Sequence, residues 1–325
     1  MTAVWIRRLL QYILVVFVAT TINFLIPLAM PGDPLKAILG ENIFGMSQEQ
    51  RDSVRAEYGL DLPVHEQYLH YLHKLVRFDL GYSYRFKQPI AEMILERLPW
   101  TLFLTFTSLI ISVLVGSALG VWSAWRRGQA SDVGLLALLL GMQSLPAFWL
   151  AMVLIAIFAV QLRWLPVYGG KSAAFKYTGV EHVVDLIRHW ILPASTLILV
   201  SIPGWFLTMR YSMLNTLGSD YVRTARAKGL SERTTMFRHA MRNALLPVVT
   251  GLMLGLAYAV SGATLIETVF SYPGIGRMLY EAVLMRDYPV IRATFLIITL
   301  TVVVANLIAD LLYPLLDPRI RAEGR

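Results

Sequence analysis

Cysteine is absent from the 325 residues, which excludes disulfides, thiolate nucleophiles and cysteine-ligated metals. Charge is scarce. Only 15% of residues are Asp, Glu, Lys or Arg, whereas 56% are hydrophobic, and the mean hydropathy is +0.58. A water-soluble fold of this length cannot hide so much apolar surface, so a bilayer is the expected solvent. Catalytic signatures are missing too. There is no H-E-x-x-H, no G-x-S-x-G and no paired carboxylate near the end of an apolar run, so an enzyme is not expected. Gly170-Lys171-Ser172 imitates the end of a phosphate-binding loop, but Leu165 stands where the first glycine belongs, leaving no amide cradle for phosphate. No repeat, low-complexity tract or separate soluble domain is visible.

Six apolar runs approach the ~20 residues needed to cross a bilayer. They are Leu9–Leu28, Trp100–Trp125, Val133–Val160, Trp190–Met209, Leu245–Ile266 and Ala293–Tyr313. The expected fold is therefore an all-α polytopic membrane protein with six transmembrane helices. Trp100, Trp122, Trp125, Trp190 and Tyr313 fall near the ends, where amphipathic rings prefer the headgroup level. Pro146 and Pro203 fall inside runs and each should bend its helix. The first run lacks a small-x-small cleavage site and exceeds a signal-peptide core, so it reads as an uncleaved span.

The net charge of +8 lies beside apolar runs, which favours a membrane over nucleic acid. Arg7 and Arg8, Arg126 and Arg127, the cluster from Arg210 to Arg242, and Arg319, Arg321 and Arg325 share one side of the predicted topology; the short opposite loops hold half as many. The positive-inside bias places both termini in the cytoplasm. The long outer segment contains the turn Gly59-Leu60-Asp61-Leu62-Pro63 and an amphipathic stretch, Val64–Phe78, with Tyr68, Tyr71, Leu72 and Leu75 on one side. Residues 1–98 thus read as a first span plus an ordered external loop, and 99–325 as a five-helix core with a cytoplasmic loop at 210–244.

That cytoplasmic loop carries the most informative chemistry. Ser219 suits an N-cap and Asp220 the first turn of a helix. Lys228 falls in the last turn, and Gly229 is placed to close the helix in the left-handed conformation, with Leu230 making the accompanying apolar contact. Ser231 can cap a second helix. The first helix is so short that it needs a partner surface. Tyr221, Val222 and Ala225 form an apolar stripe, and Arg223 and Arg226 a basic one. Two readings follow from this pattern: a segment resting on anionic lipid, or a knob docking into a cytosolic protein.

The run Tyr221-Val222-Arg223-Thr224-Ala225-Arg226-Ala227-Lys228-Gly229-Leu230, with Arg238-His239-Ala240 and Asn243-Ala244-Leu245-Leu246-Pro247 after it, resembles the ATPase-docking loop of binding-protein-dependent importer permeases. The likeness is to the dipeptide/oligopeptide/nickel branch and runs along the whole chain. It includes Gly32-Asp33-Pro34, Asp79-Leu80-Gly81, Pro146-Ala147-Phe148-Trp149-Leu150, Trp164-Leu165-Pro166 and Phe270-Ser271-Tyr272-Pro273-Gly274-Ile275-Gly276. The general importer pattern has Glu-Ala-Ala before the glycine; here Arg223-Thr224-Ala225 stands instead, so no contact by a glutamate carries over.

The resemblance implies a type I ABC importer permease of the bacterial inner membrane that alternates between inward-facing and outward-facing states. Its partners would be a second, homologous permease (a heterodimer), two ATP-binding subunits that hold ATP and Mg, and an external substrate-binding protein. The chain itself would carry no cofactor. Tyr221, Val222, Arg223, Ala225, Arg226, Lys228, Gly229 and Leu230 would form the docking helix, with Tyr221 and Ala225 buried in the ATPase. The cargo stays open among dipeptide, oligopeptide, nickel chelate, glutathione and an opine-like or other small solute. A secondary, ion-coupled transporter is the alternative; it should show inverted repeats and charges at mid-span, and neither is evident.

Other residues carry weaker expectations. Gln143 and Ser144, beside Pro146, are candidates to line the pathway, as are Asn306 and Asp310, on one face of the last span, unless these two serve a structural pairing with a nearby arginine. Gly251, Gly255, Ala259 and Ala263 make a small-residue stripe repeated by Gly116 and Gly120. Such stripes let membrane helices approach closely, either within this chain or against a second permease, and span five is taken as a candidate for that interface. His65, His70 and His73 lack a carboxylate at clear spacing, so no metal is expected.

Overall fold

A computed structural model describes residues 2–29, 34–57, 59–172, 179–258 and 263–316. Among these the chain is helical nearly throughout, with one two-stranded ribbon, Tyr82–Ser83 against Gln88–Pro89. Four helices are long and apolar enough to cross a membrane: Ile6–Leu25, Ile90–Trp125, Val180–Leu217 and Tyr288–Ile308. The stretches Ala130–Gln143 and Ala147–Gln161 supply a fifth span if taken together, but they bend by 100° at the intervening break. Pro146 occupies the N-cap of the second half; without an amide hydrogen it cannot continue the ladder of the first. Pro203, by contrast, leaves its helix continuous. The predicted fifth span is a thirteen-residue helix, Leu246–Tyr258, and its continuation through 259–262 lies outside the described residues.

The helices used below are α1 (Thr2–Ala29), α2 (Val64–Val76), α3 (Ile90–Trp125), α4 (Ala130–Gln143), α5 (Ala147–Leu154), α6 (Val180–Leu217), α7 (Asp220–Ala227), α8 (Leu246–Tyr258), α9 (Ile275–Met285) and α10 (Tyr288–Leu316). α3 and α6 have 36 and 38 residues. At ~1.5 Å per residue each exceeds the ~30 Å of a hydrocarbon core. They are longer than their apolar runs because polar ends continue the same helix beyond the bilayer.

The chain packs as two compact units. The first comprises residues 1–101 and 273–303. Ile90, Met93 and Ile94 pack there with Ile275, Met278, Ala282 and Val290. The amphipathic helix predicted in the external loop is α2, and none of its residues is fully buried. It is held by an aromatic edge: Phe24 lies 5.1 Å from Tyr68 and 5.7 Å from Tyr71 between ring centroids, and Thr21 shares a 2.7 Å hydrogen bond with the Tyr68 hydroxyl. Burial raises the pKa of Tyr71 above the ordinary phenol value, keeping its hydroxyl neutral. Asp287 is buried as well; desolvation pushes its pKa up, opposed by the hydroxyl that Ser83 donates to it.

The second unit comprises residues 102–272 and 304–325. Its small-residue stripes turn inward. A methyl group on Gly116 would meet Trp205 Cβ at 2.7 Å, and one on Gly120 the Phe206 carbonyl oxygen at 2.8 Å, so these glycines let α3 lie backbone-close to α6. A methyl group on Gly251 would meet the Trp205 ring at 3.0 Å and one on Gly255 the Leu109 side chain at 3.2 Å, and Ala263 is buried. Of the two packings open to that stripe, its glycines take the one within the chain, against Trp205 and Leu109. Ala259 lies outside the described residues. Ser172, the end of the phosphate-loop imitation, donates to Asp185 through its amide at 2.8 Å and its hydroxyl at 2.6 Å, a structural use for that hydroxyl.

Candidate functional site

α7 begins and ends where its sequence signals lie. Ser219 occupies the N-cap with extended backbone, but its hydroxyl donates backward to the Thr216 carbonyl at 2.6 Å rather than accepting from the first turn. At the other end the Gly229 amide donates to the Arg226 carbonyl at 2.9 Å and the Leu230 amide to the Ala225 carbonyl at 3.4 Å. This pair of bonds is the Schellman closure, which requires a left-handed residue after the C-cap. Gly229 supplies it with φ +77°. No neighbouring atom lies within 4 Å of where its Cβ would stand, so backbone conformation alone calls for glycine here. Ser231 then accepts from the Thr234 amide and starts the helical stretch 232–244, which contains a π-helical turn at Thr235–Ala240.

The two faces of α7 have different tasks. Val222 is 0% and Ala225 5% exposed. Val222 packs into a core with Val121 and Ala124 of α3, Met209 and Met213 of α6, and Met236, Ala240 and Ala244 of the following stretch. An eight-residue helix is marginal alone, and its apolar stripe seats it on its own chain. Val222 and Ala225, expected as contacts with a partner, are therefore corrected to anchors: both already face inward. Arg226 is also partly committed, since its guanidinium meets Glu232 at 2.9 Å and 3.1 Å. Tyr221 stays 43% exposed while its hydroxyl accepts from the Asn243 amide at 2.8 Å. Arg223, Lys228 and Leu230 complete the outward face, Arg223 lying 3.5 Å from Asp220.

Beneath this seat lies a cluster that sequence reasoning missed. Arg210 on α6 donates from Nε to Asp132 Oδ1 at 3.0 Å and from Nη2 to Asp132 Oδ2 at 2.9 Å, and also from Nε to Ser123 Oγ at 2.9 Å. The Gly128 amide adds a bond to Asp132 at 3.0 Å, and the Ser123 hydroxyl donates to the same carboxylate. All three side chains are buried. A two-point guanidinium–carboxylate fork fixes geometry as well as charge, and here it ties α3, α4 and α6 together immediately below Met209 and Met213. The available signal was a lone acid and a lone base, each at the end of an apolar run; nothing in one chain's order reveals that residues 78 apart pair.

The pathway candidates occupy separate places. Gln143 and Ser144 sit exposed at the sharp break between α4 and α5, with the Ser144 hydroxyl donating to the Leu140 carbonyl at 3.3 Å. Asn306 and Asp310 are half-buried in the second half of α10. Among the described residues no group of three His, Cys, Asp or Glu could hold a metal ion.

Two family models cover most of the chain. "Binding-protein-dependent transport system inner membrane component" matches residues 116–322, and the N-terminal model of the same transport systems matches 1–105. The oligopeptide transport system permease AppB of Bacillus subtilis is 38% identical over 321 residues, covering 98% of this chain and 99% of that protein. The glutathione transport system permease GsiC of Escherichia coli O6:H1 is 38% identical over 317 residues, covering 97% and 98%. A solved amino acid ABC transporter, crystallised with histidines, aligns at TM-score 0.50 and 14% identity over 68% of this chain and 92% of its own.

Proposed function

Since the chain belongs to the binding-protein-dependent transport system inner membrane component family, and is thus the multi-pass permease subunit of an ABC importer, we propose that α7 is the handle by which an ATP-binding partner moves it. The observation that carries this reading is the division of labour on α7. One face is sunk into the core shared by α3 and α6, and the other presents Tyr221, Arg223, Lys228 and Leu230 outward. A push on the outer face is then delivered directly to the spans. For that push to change access, ATP must bind the closed arrangement of the partners better than the open one. ATP and Mg are held on those partners, and this chain contributes Arg226, braced on Glu232, and the glycine closure that keep the handle stiff.

We further assign the cargo to di- and oligopeptides, the class spanned by the oligopeptide and glutathione relatives. A second, homologous permease completes a heterodimer, an external protein delivers the peptide, and both termini face the cytoplasm by the basic bias of the loops. Gln143, Ser144, Asn306 and Asp310 are assigned to the pathway.

The test is Gly229→Val in the assembled importer. A β-branched side chain opposes the φ of +77°, so ATP-driven peptide uptake should fall at least tenfold, a change of ~1.4 kcal/mol in coupling, while the permease remains inserted. Uptake at the unmodified rate would overturn the handle. Solute movement by the lone permease on an ion gradient would instead favour a secondary transporter.

A further inference from the structure

A cleft of ≈ 680 Å³ opens in the second unit between the end of α3 and the 235–245 segment. Val121, Trp122 and Trp125 form one wall, and Met236, Phe237 and Met241 the other. Trp125 and Phe237 face each other at 6.3 Å between ring centroids. At the mouth the Arg126 guanidinium lies 4.9 Å from the centre of the Trp122 ring. The next residue is Arg127, and Arg238 adjoins Phe237 in the chain. Among the described residues no carboxylate pairs with any of these three arginines.

We propose that this cleft binds an anionic phospholipid, with an acyl chain between the two walls and the phosphate against Arg126, while Arg127 and Arg238, chain neighbours of the lining residues Arg126 and Phe237, add positive charge. An apolar slot suits a hydrocarbon chain and suits a hydrated peptide cargo badly. Tryptophans exposed at the end of an apolar helix mark the headgroup level, and the unpaired guanidinium groups supply the charge that a negative headgroup seeks. Methionine side chains adapt to a chain of variable kink and length. The lipid would touch Met236, Phe237 and Met241, in the stretch that follows the docking helix, and would brace it from the membrane side. That effect on transport rests on the handle reading; the binding itself does not.

The binding is testable on the full chain without its partners, so its failure leaves the handle untouched. The chain is placed in phosphatidylcholine vesicles doped with either brominated phosphatidylglycerol or brominated phosphatidylcholine, and tryptophan quenching is measured. The contribution of the cleft is the difference between the native chain and the double variant Trp122→Phe, Trp125→Phe. Phosphatidylglycerol should occupy the cleft at roughly fivefold lower mole fraction than phosphatidylcholine, the least preference expected, from Arg126 alone at an anionic headgroup. The triple variant Arg126→Gln, Arg127→Gln, Arg238→Gln should abolish the preference. Equal quenching by the two lipids, or a preference surviving the triple variant, overturns the proposal. So does efficient crosslinking of a Phe237→Cys permease to the second permease in the assembled importer, which would identify protein as the occupant.

Discussion

Two short amphipathic helices lie outside the main spans, and they are held in opposite ways. α2 has thirteen residues and buries none of them fully; an aromatic edge on Tyr68 and Tyr71 secures it. α7 has eight residues and sinks two into the core of its unit. The shorter helix is thus the more firmly rooted. A helix that only covers a surface can rest on exchangeable contacts, whereas one that transmits force must not slip. Packing depth, rather than length or amphipathicity, separates the two.

The largest expected effect comes from breaking the buried fork, whose Arg210 adjoins in the chain Met209 of the core that seats α7. Asp132→Ala would leave Arg210 buried without its partner, which typically costs about 3–5 kcal/mol; the denaturation midpoint of the purified permease should fall sharply, and an unchanged midpoint would show that α7 is seated independently of the fork. Next, Val222→Ala removes two methyl groups from a fully buried site and should cost about 1.5–2.5 kcal/mol and reduce uptake severalfold. Leu72→Ala on α2, where the side chain is only partly covered, should cost less than half of that. Equal losses would erase the distinction between rooted and resting helices. The smallest change is Tyr68→Phe, which deletes the hydroxyl bond to Thr21 but keeps the ring on Phe24. A loss of about 0.5–1.5 kcal/mol is expected, visible as faster proteolysis of the external loop with uptake preserved.

Local signals proved readable for most turns and periods, although Pro203 leaves its helix continuous and the Ser219 hydroxyl does not cap the first turn. The Ser219–Gly229 limits of α7, the Ser231 cap, the α2 helix and the break at Pro146 all follow from short-range rules about capping, periodicity and missing amide hydrogens. What escaped is which neighbour each face meets. A stripe of small residues says that something comes close, and only the fold shows Trp205 against Gly251 and α6 against Gly116. Val222 and Ala225 were recognised as a stripe yet assigned to the wrong partner, because an apolar face looks the same whether its own core or another protein covers it. The Asp132–Arg210 pair joins helices far apart in sequence, and no local rule links its members.

The sharp break between α4 and α5 carries a consequence of its own. Ending one helix and beginning another within an apolar stretch strips the last carbonyls of the first and the opening amides of the second of their in-helix partners. Leu150 donates to the Pro146 carbonyl at 3.1 Å, and Ser144 to Gly141 at 3.2 Å, but the amides of Ala147, Phe148 and Trp149 precede any such bond. In hydrocarbon each stranded dipole would cost several kcal/mol. This elbow must therefore adjoin water or protein rather than lipid tails, a polar demand that the main chain itself makes in a greasy sequence.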